Sequence, residues 1–99
     1  NMASVGVMGG GLLVSWLNET NYLPWNVKMD IYLRREELWT IVTNPPTVLD
    51  DGYQRKNEKV LASIILTLED RQLIHVRHLQ SVKECWEALR SVYMKETVQ

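Results

Sequence analysis

The feature that most constrains this chain is a seam of apolar side chains close to its end. Val82, Cys85, Trp86, Leu89, Val92 and Tyr93 recur at steps of three and four. That spacing lines up one face of a helix. Ser81 stands just before the seam and Glu84 three residues later, the signature of a capping box at a helix start. A seam of this kind must be covered, so the rest of the chain is expected to supply matching helices.

Two further segments have the required periodicity. Over residues 24–37, Trp25, Met29, Tyr32 and Leu33 share one helical face, and Pro24 suits the first turn. From about Gln54 to Leu68, Val60, Leu61, Ile64, Ile65 and Leu68 repeat in the same manner. Their β-branched members lower helix propensity, so packing must hold that helix in place. Asp70 suits the cap of a short helix reaching Leu79, with Leu73, Ile74 and Val76 on its faces. Leu38 to Val42 reads as a buried connector or short helical turn, ended by Asn44-Pro45-Pro46. Residues 47–53 read as a loop, with Asp50-Asp51-Gly52 as its turn. The expectation is an all-α fold: a small bundle of about four to five helices over residues 18–99, behind an extended, Gly-rich segment over residues 1–17.

That leading segment holds Gly9, Gly10 and Gly11 in a row and then the apolar run Leu12 to Leu17. The run is far short of the roughly 20 apolar residues of a membrane span, and no basic residues precede it as a secretory signal requires. Ala3 stands where myristoylation needs glycine. Asn1 precedes Met2, which reads as a candidate native start. The far end stops on a helical pattern without a cap, which fits equally a piece cut from a longer protein and a natural tail. Asn18-Glu19-Thr20 matches a glycosylation sequon by chance in a chain expected to be cytoplasmic.

Catalytic and metal chemistry find little footing. Cys85, the single cysteine, cannot form an intrachain disulfide, and on an apolar helix face its thiol is inert. His75 and His78 are too few for a zinc site and have no third ligand at suitable spacing. Asp50-Asp51-Gly52 is a turn rather than a protease motif, and the glycine run lacks the lysine of a phosphate loop. No enzyme, cofactor or metal is expected. Eleven Lys and Arg oppose twelve Asp and Glu, for a net charge of −1. Residues 71–99 carry a mild excess of positive charge, but the face of the last helix is mixed in sign. Counterion displacement from nucleic acid needs a denser basic stripe.

The ordered motifs resemble the Gag polyprotein of copia-type LTR retrotransposons. Leu17-Asn18-Glu19-Thr20-Asn21-Tyr22, with Trp25, is similar to that family's L-N-G-x-N-Y-x-x-W opening. Lys59 to Leu68 resembles its A-x-x-x-I-x-x-x-L helix. Ser81-Val82-Lys83-Glu84-Cys85-Trp86-Glu87-Ala88-Leu89 with Tyr93 is similar to T-A-K-E-x-W-x-x-L-x-x-x-Y. The likeness covers roughly residues 17–95, and it departs where Glu19 replaces the more usual glycine. It implies a capsid N-terminal domain that self-associates in the shell of a virus-like particle around RNA. It also implies a capsid C-terminal domain beyond Gln99 and an RNA-gripping zinc knuckle further on, so RNA is met only through regions outside this chain. Domesticated genes of this descent exist, and a gag-derived adaptor holding a peptide in an apolar groove is the alternative.

On this reading the core comprises Trp25, Met29, Leu33, Trp39, Leu61, Ile64, Ile65, Leu68, Trp86 and Leu89. Candidate self-association residues are Val7, Leu12, Leu13, Val14 and Trp16, which either pack on their own domain or join a neighbour. The charged residues Lys28, Asp30, Arg34 and Arg35 form a solvated face or a rim between homo-oligomer subunits. No membrane contact is expected.

Overall fold

A computed structural model describes residues 5–7 and 13–94 of the chain. Two short strands, β1 (Val5–Val7) and β2 (Leu13–Ser15), pair antiparallel with Gly6 opposite Val14. Helices α1 (Tyr22–Arg35), α2 (Trp39–Thr43), α3 (Asp51–Ile65) and α4 (Val82–Met94) follow, with a 3-10 helix at Asp70–His75 between the last two. The fold is all-α, as the periodicity predicts, with the small hairpin laid against α1.

The core draws on every helix. Trp25, Met29 and Leu33 from α1 meet Ile41 and Val42 from α2, Val60 and Ile64 from α3, and Val82, Cys85 and Leu89 from α4. Of the ten residues assigned to it from sequence, Trp25, Met29, Leu33, Ile64, Leu68 and Leu89 are buried. Trp39, Leu61, Ile65 and Trp86 are partly buried and pack against its edge. Val14 is only 1% exposed. Of the two readings the sequence leaves open for it, packing on its own domain or joining a neighbour, the fold shows the first, because β2 delivers it against α1.

Helix ends are settled by specific bonds. α1 stops where Glu37 adopts φ 61°, with Leu38 N–H donating to Leu33 O at 2.8 Å and Glu37 N–H to Arg34 O at 3.0 Å. This is the Schellman arrangement, with glutamate in the place where glycine is commoner. α3 starts at Asp51, about three residues before the position expected from sequence. Asp50 Oδ1 accepts from Tyr53 N–H at 2.9 Å, so the supposed turn is an N-cap and first helical turn. The third helix also differs from expectation. It is a 3-10 segment ending at His75, and the flanking Glu69, not Asp70, is its first boundary residue.

Candidate functional site

Three arrangements account for the side chains that the sequence singles out: an aromatic stack, a polar clasp at the first helix, and an outer apolar surface. The stack runs from the buried Tyr22 and Trp25 to partly buried rings at the edge of the core. Trp39 meets Trp86 edge-on at 5.3 Å between centroids, and Trp86 lies 5.8 Å from Trp25. Trp25 lies 6.1 Å from Tyr22, which stacks on Tyr93 at 5.4 Å. The Arg34 guanidinium sits 4.8 Å over Trp39 at one end, and His75 meets Tyr93 edge-on at the other. Rings on α1, α2 and α4 therefore brace one another, each pair adding specific orientation to simple burial. The buried Trp25 indole is satisfied, its Nε1–H donating to Thr67 Oγ1 at 3.1 Å.

The clasp explains the Leu17-to-Tyr22 motif. Leu17 forms a parallel bridge with Leu68: its N–H donates to Thr67 O at 2.7 Å, and its carbonyl accepts from Glu69 N–H at 3.0 Å. Asn21 accepts from Asn18 N–H at 2.8 Å and donates to Trp16 O at 2.9 Å. Asn18 in turn accepts from Thr20 N–H at 2.8 Å and donates to Glu69 Oε2 at 3.2 Å. The two asparagines thus fix the path of the chain into α1, and the sequon asparagine is engaged. Glu19 receives Gln72 Nε2–H at 3.0 Å and Arg71 at 3.3 Å. Its backbone bond and Gln72 hold its carboxyl below the usual range. The buried Gln72 also accepts from the Tyr93 hydroxyl, tying the clasp to α4.

Asn57 is the residue that sequence reasoning missed. It is 7% exposed on α3, and its Oδ1 accepts from Val82 N–H at 3.1 Å while its Nδ2 donates to Gln80 O at 3.1 Å. It therefore caps α4 from another helix. The Ser81 half of the expected capping box is long, with Glu84 N–H at 3.5 Å from Ser81 Oγ. A lone asparagine among charged neighbours gives no sign of this in sequence.

Cys85 is fully buried, and burial pushes its thiol up to about 11 from 9.0. The folded state therefore holds its proton at pH values where the unfolded chain releases it. The contribution of this thiol is unchanged below pH 9 and lowers stability as pH rises from 9 toward 11, by about 1.4 kcal/mol per pH unit. Urea midpoints between pH 8 and 10 are expected to show this slope, and Cys85→Ala to flatten it. Tyr93, raised to about 12 by burial and by the Glu19 charge, adds the same sign only above its ordinary 10.0. An equal slope in both chains would remove Cys85 as the cause.

Among the described residues no group of three His, Cys, Asp or Glu side chains converges on a metal position. Nor is any described helix long and apolar enough to cross a membrane. A small recess of about 80 Å³ between β2 and α1 is lined by Ser15, Asn21, Pro24, Trp25 and Lys28, with no paired acid and base.

The outer surface carries what the core leaves over. Leu23, Val27, Ile31, Val48, Leu49, Leu66 and Ile74 are each more than half exposed. None of them is among the self-association residues expected from sequence, although the first three recur at a spacing of four. Of the residues expected in that role, Trp16 is half-buried, with a buried indole N–H that has no partner among the described residues. Leu12 lies outside the described residues, and the side chains of Val7 and Leu13 lie outside those described.

A helical domain braced by a run of aromatic rings is the context in which the comparisons with known proteins stand. The gag-polypeptide of LTR copia-type family matches residues 29–99. The chain belongs to that family. No curated protein and no solved structure matches the chain. The match begins inside α1, so the Leu17-to-Trp25 portion of this Gag chain rests on its own geometry, the clasp described above. Membership supports a Gag-like, capsid-related role in a family of structural, non-catalytic proteins.

Proposed function

We propose that the chain is a capsid domain of Gag, copies of which associate side by side in the shell of a virus-like particle enclosing RNA. The observation that carries this reading is the set of seven large apolar side chains, each more than half exposed, on a domain whose core is already filled. They lie on α1, on the α2–α3 connection, at the end of α3 and on the 3-10 helix. Separate modest contacts on a stiff unit suit assembly, because misplaced subunits leave while closed arrays add the contacts together. Family membership supplies the biological setting. A downstream capsid C-terminal domain completes the subunit, and RNA is held by regions outside this chain, consistent with its net charge of −1.

Sedimentation and light scattering across a concentration series, with electron microscopy at high salt and under crowding, test the proposal. Concentration-dependent oligomers or particles are expected. A chain that stays monomeric throughout would defeat it. In a gel-shift titration at low salt, the chain alone is expected to leave RNA unretarded. Tight binding that weakens steeply with salt would instead mark a nucleic-acid-binding domain.

A further inference from the structure

Two recesses meet at the first turn of α3. On one side Ile41, Pro46, Val48 and Tyr53 line a cleft of about 500 Å³ between α2 and α3. On the other, Arg55, Lys56, Glu58 and Lys59 border an open trough of about 610 Å³ along the outside of α3. Gly52 and Lys56 belong to both, so the two form one groove that crosses the helix at Gly52. The backbone of Gly52 is ordinary helix, and a Cβ there would touch only the Asp50 carboxylate, at 3.4 Å. Glycine weakens a helix relative to alanine, so the fold alone does not ask for it. A bare backbone at the crossing lets another chain come close.

Charge shows what kind of chain. The ion pairs among the described residues join Arg34 to Asp30, Arg35 to Glu36 and Arg71 to Glu19, and leave Arg55, Lys56 and Lys59 without a carboxylate. Against these cations the trough holds one acid, Glu58, while Asp50 beside the cleft accepts from the Tyr53 amide. Asp51 is exposed in the same first turn. The groove therefore suits an apolar side chain followed by carboxylates.

The same chain carries that combination at the other end of α3. Leu66 is 73% exposed there, and Ile74 on the 3-10 helix is also exposed. Between them Asp70 is exposed and takes part in none of those ion pairs. Glu69 beside it is bonded by Asn18, and Arg71 is taken up by Glu19. From Leu66 to Asp70 the chain reaches at most about 13 Å. From Gly52 to Lys59 the helix rises about 10 Å, so the two spans match.

We propose that this corner of a second copy fills the groove, with Leu66 entering beside Val48 and Asp70 lying over Arg55, Lys56 and Lys59. The proposal rests on the capsid reading and names one of its contacts. Groove and corner are different surfaces, so each copy gives its corner to one neighbour and its groove to the next. Repeated from copy to copy, such a heterologous contact builds a ring or an open array.

Charge reversal in the whole chain at low salt, followed by sedimentation velocity, tests this. The groove variant is Lys56→Glu with Lys59→Glu, and the corner variant is Asp70→Lys, all at exposed positions. Each is expected to keep the urea midpoint of the parent and to weaken self-association about tenfold or more, since like charges then face each other. Mixed one to one, the two variants are expected to form a dimer and grow no further. The groove variant still has its corner and the corner variant its groove, so only one contact can form. Combining all three substitutions in one chain is expected to restore growth. Val48→Cys and Leu66→Cys, oxidised with copper phenanthroline, are expected to join each other when mixed, and not to join themselves. Native Cys85 is buried and does not compete.

A mixture that stays monomeric, or a cysteine variant that joins itself faster than the other, overturns the pairing. Val48→Cys shielded from a thiol reagent in the dilute monomer shows the groove covered by the chain's own segment, which also overturns it. Tighter binding of an unrelated leucine-and-glutamate peptide than of a second copy assigns the groove to a foreign partner, and overturns it too. Charge variants that associate like the parent, with no cross-link between positions 48 and 66, refute this contact while the capsid reading stands. A parent chain that never associates refutes both.

Discussion

Trp25→Ala is expected to destabilise the domain by about 3–5 kcal/mol, the range for removing a buried tryptophan. That is a large share of the roughly 5–15 kcal/mol that holds an ordinary domain together. The indole is 2% exposed, contacts both Tyr22 and Trp86, and bonds Thr67 across 42 residues of sequence. Its loss opens a cavity where α1 meets α4 and leaves the aromatic stack in two pieces. Trp25→Phe keeps much of the ring area and gives up the bond to Thr67, so its cost should be smaller, about 1–2 kcal/mol. Urea unfolding followed by far-ultraviolet circular dichroism separates the two. If alanine and phenylalanine cost the same, the bond to Thr67 would outweigh the packing.

The second large effect is expected at Asn57. Asn57→Ala leaves the buried Val82 N–H without its partner, which costs about 1–3 kcal/mol, and removes the bond to the carbonyl of Gln80, an exposed residue whose carbonyl water can reach. A loss of about 1–3 kcal/mol is therefore expected. Asn57→Asp keeps the acceptor for Val82 and loses the donor to Gln80, so it should fall between alanine and the parent. Hydrogen exchange gives an independent readout. The amides at the start of α4 should open faster in Asn57→Ala than those of α1. Uniform acceleration through the whole domain would show that the residue stabilises the fold generally, without acting as a cap.

Both residues lie at the meeting of α1 or α3 with α4, which is also what keeps the outer faces in fixed relation. On the proposed capsid reading that stiffness would matter, because modest contacts are useful only when several are presented in register. Partly destabilised variants at Trp25 or Asn57 should therefore assemble less well than their folded fraction alone predicts.

Periodicity makes α1, α3 and α4 legible in the amino-acid sequence, and with them most of the buried core. Helical spacing is a local property: the residues that share a face are decided within two or three turns of the same segment. The start of α3 is less legible, because an aspartate that begins a turn and one that caps a helix look alike in sequence. Only the Tyr53 N–H lying 2.9 Å from Asp50 tells them apart. The outer ridge of α1 is hidden for another reason. A helix with apolar residues on two sides shows little contrast between its faces, and Trp25 and Met29 draw attention to one of them.

What the chain determined by itself is the helices α1, α3 and α4 and their inner stripes. Tertiary structure alone decided that Val14 is core, that Asn57 caps a helix 25 residues away, and that Asn18 and Asn21 clasp the first helix. It also left Leu23, Val27 and Ile31 facing outward. The division has one physical cause. Helix periodicity is imposed by backbone bonds between near neighbours, whereas burial and long-range hydrogen bonds depend on which elements come to lie side by side.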